Sequence, residues 1–196
     1  RNCDWSSDVC SSDLVMFAGG NANLASTVTV DVYHAANSSW TLAQLSVARS
    51  FLASASLDGW GLVMFAGGVG NSLTTFDTVD VYNASSGRWT VARLSVGRAG
   101  LVGVSLELHG IIMFAGGVSG AFSSGVDVVD VYNASSGNWS TAKLSVARQD
   151  LAAASLSQQG LLLFAGGLAS NGVTTDVVDM YNVTSGSWAT ARSEEH

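Results

Sequence analysis

The 196-residue chain has no proline, and only 12% of it is charged. Its turns must therefore come from glycine, present 22 times, and from asparagine, aspartate and serine. Cysteine occurs twice, as Cys3 and Cys10, both within the first ten residues. The rest of the chain thus has no disulfide framework, no thiolate nucleophile and no cysteine-based metal site. Eight bases face 15 acids, and the net charge of −7 argues against nucleic acid and anionic membrane surfaces as partners. No apolar run approaches the ~20 residues of a membrane helix, so membrane insertion is not expected. His34 and His109 stand alone, and no Ser/His/Asp arrangement can be assembled around them. No cofactor or metal is implied.

What the chain does have is apolar material, 47% of its residues, in a length that fits one domain or part of one. Four times it spells Phe-Ala-Gly-Gly, at 17–20, 65–68, 114–117 and 164–167. Each copy closes an apolar run, as in 62–66 and 111–115. Such a run has strand length, and without polar alternation it predicts a strand buried on both faces. The pairs Gly19 and Gly20, Gly67 and Gly68, Gly116 and Gly117, and Gly166 and Gly167 then suit a tight exit from a crowded sheet.

The repeat extends far beyond these pairs. Tyr33, Tyr82, Tyr132 and Tyr181 each precede a tryptophan by seven: Trp40, Trp89, Trp139 and Trp188. The first three tryptophans precede Arg49, Arg98 and Arg148 by nine, and each arginine precedes the next glycine pair by 18. One interval varies. From the first glycine of a pair to the tyrosine there are 14, 15, 16 and 15 residues. Insertions thus collect in a single loop while the other connections stay fixed.

Each period of ~49 residues reads as four short strands. The first is 52–57, 101–106 or 151–156, with small residues that suit the tightest part of a fold. A turn follows with Gly61, Gly110 or Gly160, and Asp58-Gly59 is a hairpin signal. The second strand ends in the glycine pair. The third is 28–33, 78–82, 128–132 or 177–181, and the fourth starts at the tryptophan, as in 89–92. Four antiparallel strands per repeat, with glycine and aromatic marks at fixed places, describe a propeller blade.

The doubled glycine after an apolar strand, the Tyr-Asn and the tryptophan seven residues on resemble the kelch repeat, over residues 14–192. This implies an all-β, kelch-type β-propeller arc. Kelch blades often carry proline before the arginine; here Leu-Ser-Val-Ala or Leu-Ser-Val-Gly stands there. The units are about 14–48, 49–97, 98–147 and 148–192. The first is expected to lack its inner strand and the fourth to stop inside its outer strand, giving about 3.5 blades. Kelch propellers usually close with six or seven, so this reads as a fragment of a larger propeller. Such an arc is expected to self-associate through exposed blade faces.

The two ends do not follow the repeat. Residues 4–14 resemble the translation of a common sequencing adapter, and 192–196 resemble its opposite strand. The repeat agrees: where Leu45, Leu94 and Leu144 predict leucine at 193, Ser193 stands. Segments 1–13 and 193–196 are therefore expected to be non-native.

The candidate sites follow from the repeat. The tyrosines and tryptophans recur in every unit and read as core rather than as a ligand-stacking set. Asp77 and Asp80, Asp127 and Asp130, and Asp176 and Asp179 are paired carboxylates, a pattern suited to calcium or acid–base work. Their spacing of three, however, puts the members of a pair on opposite strand faces. Arg49, Arg98 and Arg148 lie where one unit hands over to the next. They read as a ring of cations at a channel mouth, gripping carboxylates, or as arginines satisfying carbonyls between blades; the second reading is favoured.

Strand counting puts the elastic loop on the same face as these arginines, the face where kelch proteins often hold a partner. Its side chains are Asn21, Asn23 and Ser26; Asn71, Ser72 and Thr74; Ser119, Phe122 and Ser123; and Ser170, Asn171 and Thr174. They are small and uncharged, which suits a polar or carbohydrate ligand. Sequons at Asn37, Asn83, Asn133, Asn138 and Asn182 fall largely in repeated turns that want asparagine for its backbone, and leave the compartment open.

The expected function is thus a non-catalytic module presenting these loops to a protein or carbohydrate partner. The alternatives are part of a kelch-type enzyme, such as a sugar oxidase or sialic-acid epimerase, whose catalytic residues lie elsewhere, and a purely structural repeat of a larger surface protein. A copper radical oxidase of that kind would need a cysteine joined to a tyrosine, which 14–192 cannot supply.

Overall fold

The computed structural model describes residues 8–11, 13–22, 25–120 and 124–192. Its main strands form four-stranded antiparallel sheets, each a simple meander. The second sheet is Ala53–Leu57, Leu62–Ala66, Thr78–Asn83 and Arg88–Arg93. The third is Val102–Leu106, Ile111–Ala115, Val128–Asn133 and Asn138–Lys143. The fourth is Ala152–Leu156, Leu161–Ala165, Val177–Asn182 and Ser187–Arg192. Strand positions agree with the sequence reading to within a residue or two.

Two expectations about the ends are corrected. The first sheet does have a fourth strand, Asp8–Ser11, which pairs with Leu14–Ala18 so that Asp8 lies opposite Phe17; Thr29–His34 and Ser39–Gln44 complete it. Leu14–Ala18 would otherwise offer a bare edge of N–H and C=O groups, and any extended segment can take them up. Main-chain pairing is indifferent to side chains, so this strand carries no information on the origin of the segment. At the other end Ser187–Arg192 pairs in full register with Val177–Asn182 rather than stopping short.

The Asp58-Gly59 signal does mark a hairpin, with Leu57 opposite Leu62, though its turn is longer than two residues. Asp58–Trp60 forms one 3-10 turn, and the left-handed residue is Gly61 at φ 62°, whose N–H donates to Asp58 O. Glu107–His109 and Gly110 repeat the arrangement. The turn is four residues long, 58–61, so its positive φ falls at its last residue rather than inside a two-residue loop.

The sheets pack face to face, and the contact is the same each time. Leu62, Met64, Ala66, Val79 and Val81 of the second sheet form an aliphatic face that meets Ile112, Phe114, Tyr132 and Trp139 of the third. Met16, Ala18, Val30 and Val32 of the first sheet likewise meet Val63, Phe65, Tyr82 and Trp89 of the second. Ile111, Met113, Ala115 and Val129 of the third meet Leu162, Phe164, Tyr181 and Trp188 of the fourth. Each interior sheet therefore carries one aliphatic and one aromatic face. This is why Ile111–Ala115 is buried at every residue, as its lack of alternation predicts. Along the inner strands the approach is closest: a Cβ on Gly103 would sit 2.4 Å from Ser54 O.

The aromatic faces show what the tyrosine–tryptophan spacing does. Tyr82 and Trp89 are cross-strand partners, with ring centroids 5.1 Å apart, and Phe65 stacks on Trp89 at 6.2 Å and 23°. The tryptophans are half-buried platforms rather than fully buried core, and Trp40 is 60% exposed. Trp89→Ala is accordingly expected to cost about 2–3 kcal/mol, below the ~3–5 of a fully buried tryptophan, and Trp40→Ala less than about half of that. Urea melts of the two variants check the order.

Candidate functional site

The glycine pair builds the face on which the elastic loop sits. Gly67 N–H donates to Thr78 O at 2.9 Å, closing the hairpin, and Gly68 N–H donates to Arg98 O, in the link to the next sheet, at 2.8 Å. Both glycines have positive φ, 67° and 104°. A Cβ on Gly67 would lie 2.5 Å from Arg98 O, and one on Gly68 would lie 2.8 Å from Ser50 O. The pair is thus pressed between two sheet-to-sheet links, and no side chain fits there.

The next residue fixes the loop to its own link. Ser50 and Val69 exchange backbone hydrogen bonds of 3.0 and 2.8 Å, Ala99 and Val118 do the same, and Arg148–Gln149 pairs with Leu168–Ala169. Elastic loops and links therefore share one face, as strand counting expects.

The arginine side chains are not displayed on that face. Arg49, Arg98 and Arg148 are 0% exposed, so their placing as ligand-face residues is corrected in favour of the carbonyl-satisfying reading. Arg98 Nη2 donates to Phe114 O at 2.9 Å, while its Nη1 pairs with Asp130 at 2.7 Å and donates to Val96 O at 3.2 Å. Arg49 and Arg148 reach the equivalent carbonyl and carboxylate, Phe65 O with Asp80 and Phe164 O with Asp179, through Nη2 in each case. Each of these aspartates also accepts from the backbone of the incoming link, at Ser46, Ser95 and Ser145. Burial pulls the guanidinium groups of Arg49 and Arg98 below their ordinary pKa, and the neighbouring carboxylates oppose it.

The first aspartate of each pair faces outward, as the spacing of three predicts. Asp77 pairs with Arg93 at 2.7 Å, Asp127 with Lys143 at 3.0 Å and Asp176 with Arg192 at 3.3 Å. All six carboxylates are thus engaged in ion pairs, which draws them away from the calcium or acid–base role.

Several loop candidates bind one another. Asn71 Oδ1 accepts from Ser26 N–H at 2.7 Å, across neighbouring sheets, and Ser170 Oγ donates to Gly125 O at 3.2 Å. The hydroxyls of Ser72 and Thr74 lie 3.0 Å apart, Asn171 Oδ1 accepts from Val173 N–H, and Ser119 pairs with Ser124. Thr174 bridges to Leu168, and Asn21 is exposed. Asn23, Phe122 and Ser123 lie outside the described residues.

Sequence reasoning missed the position two residues after each arginine. Phe51, Gly100 and Asp150 occupy it, all left-handed, at φ 54°, 61° and 53°. Gly100 N–H donates to Phe51 O and Asp150 N–H to Gly100 O, both at 3.0 Å. This stair of hydrogen bonds steps from sheet to sheet just before the inner strands. It displays Phe51, 61% exposed, and Asp150, whose Oδ2 accepts from Gln149 Nε2 at 2.9 Å. The one available signal was the interchange of Phe, Gly and Asp at a single repeat position, since Gly and Asp share tolerance of positive φ.

Left-handed backbone is costly for phenylalanine. Phe51→Gly is expected to stabilise the chain by about 0.5–1 kcal/mol, the relief of ~1–2 kcal/mol offset by glycine's extra chain entropy. Urea titration reads this directly.

On the opposite face the turns form a second set of ties. Glu107 accepts from Asp58 N–H and Gly59 N–H at 2.9 and 2.7 Å, and burial pushes the Asp58 carboxyl above its ordinary pKa.

The fold has a solved counterpart. The structure of YjhT is similar to this chain, with a TM-score of 0.73 over 97% of this chain and 66% of that one, at 20% identity. The fold is propeller-like. At that identity the likeness establishes the fold alone, and the chain spans about two thirds of YjhT's length. No protein-family model matches the chain, and no curated protein does.

Proposed function

We propose that the chain is an arc of a kelch-type propeller that acts as a non-catalytic binding module, and that its ligand is a glycan. The observation that carries this is the stair formed by Phe51, Gly100 and Asp150 on the loop face. A bulky aromatic is held there in a backbone region that L-residues avoid, and it faces solvent instead of packing. Such strain is retained where a side chain must be displayed. The exposed Phe51 ring offers stacking for a sugar's C–H face, and the Asp150 carboxylate further along the stair offers hydrogen bonds for its hydroxyls. Among the described residues the three repeat arginines are buried and offer no cation there to a strongly acidic partner.

The test is an array of immobilised neutral and acidic oligosaccharides probed with the chain and with Phe51→Gly and Asp150→Gly. We expect a subset of glycans to retain the chain and the two variants to lose at least about tenfold in signal, equivalent to ~1.4 kcal/mol, while remaining as stable as the parent or more so. Binding that survives both substitutions overturns the assignment of the site. A blank array overturns the glycan reading, and leaves a protein partner as the ligand class to test.

A further inference from the structure

The repeat supplies its own control for what each sheet face wants. At all three internal interfaces an aliphatic face meets an aromatic one. The two outermost sheets each leave one face over, and the two differ in kind. On the first sheet the free face is aromatic: Val15, Phe17, Tyr33 and Trp40. Phe17 is half-buried and Trp40 60% exposed, whereas Phe65, Phe114 and Phe164 at the equivalent position are 0% exposed. On the fourth sheet the free face is aliphatic. Ala152, Ala154 and Leu156 are exposed there, Leu156 by 49%, although their counterparts Ala53, Ala55 and Leu57 are at most 7% exposed. The leftover surfaces are thus the two halves of the interface that the chain already makes three times.

We propose that the chain associates with a second copy head to tail, the aliphatic face of the fourth sheet in one copy seating on the aromatic face of the first sheet in the other. This goes beyond the glycan reading and does not depend on it. The occupant is a second copy because the required partner surface is present on the molecule itself, in the register that buries Leu162, Phe164 and Trp188 against Ile111 and Met113 inside the chain. Such a contact is heterologous: two copies close on each other if the rotation allows, and otherwise further copies add to the open ends. An isologous pairing would instead put two like faces together, a combination the chain never uses internally.

Sedimentation velocity of the purified chain, with Trp40→Glu and Ala154→Glu, tests this. The parent is expected at two or more times the chain mass of 20.1 kDa. Each variant alone is expected as a monomer, because every head-to-tail contact in it carries a glutamate. A one-to-one mixture of the two is expected to form a two-chain complex, since each variant retains the face the other lacks. A monomeric parent overturns the proposal. So do a mixture that stays monomeric, assembly that neither substitution abolishes, and assembly that responds to only one of them. Far-UV circular dichroism verifies folding, and Val15→Glu and Leu156→Glu repeat the experiment should either first variant melt early.

Discussion

Arg98→Ala lowers the free energy of unfolding by about 3–5 kcal/mol, the cost of stripping one partner from a buried ion pair. Asp130 lies 2.7 Å from Arg98 with side-chain exposures of 4% and 0%, so the remaining carboxylate has no route to water. It keeps the Ser95 N–H at 2.9 Å but loses its counter-charge, while Phe114 O loses the donor from Arg98. The same residue type at the surface behaves differently. Arg93 pairs with Asp77 at the same 2.7 Å but is 71% exposed, and Arg93→Ala is expected to cost less than about 1 kcal/mol. Urea denaturation of both variants is decisive, since equal losses would refute the buried-pair account. The Nε of Arg98 has no protein partner among the described residues, so the pair is not an optimal use of buried volume. Arg98→Met with Asp130→Leu is therefore expected to recover most of the loss.

Gly67→Ala is the second large effect, about 2–5 kcal/mol. Roughly 1–2 kcal/mol comes from holding alanine at φ 67°, and ~1–3 from the steric conflict. The new methyl would stand 2.5 Å from Arg98 O, a backbone atom fixed by its bond from Gly68, so neither side can yield. Gly166 separates the two causes. It has nearly the same φ, 65°, but the nearest atom to its Cβ is Thr175 O at 3.7 Å. Gly166→Ala should therefore show only the conformational part, about 1–2 kcal/mol. Equal costs at the two positions would mean that the clash contributes nothing.

Much of this architecture was legible in the chain itself. The period, the strand content, the doubly buried second strand and the single elastic loop all follow from spacing and apolar patterning, because a repeat writes the same packing demand several times. The outward and inward members of each aspartate pair also follow, from the twofold alternation of a strand. The partners of the inward members were harder to see. Arg49 to Asp80, Arg98 to Asp130 and Arg148 to Asp179 span 31, 32 and 31 residues, and the elastic loop lies inside that interval. The variation that reveals the loop conceals the pairing. The left-handed stair at Phe51, Gly100 and Asp150 was hidden for another reason, since phenylalanine gives no hint of positive φ.

The Phe-Ala-Gly-Gly copies show where the division falls. The sequence by itself determined that a strand ends there and that glycine is required, because an apolar run without alternation must be covered on both sides. Only the tertiary structure decided what requires the glycines: the carbonyl of an arginine 31 residues further on for Gly67, and a link 18 residues back for Gly68. It also decided that the arginines turn inward to aspartates and carbonyls while Phe51 turns outward. Burial of a charge depends on a counter-charge and acceptors brought together from distant strands, and no local pattern encodes that meeting.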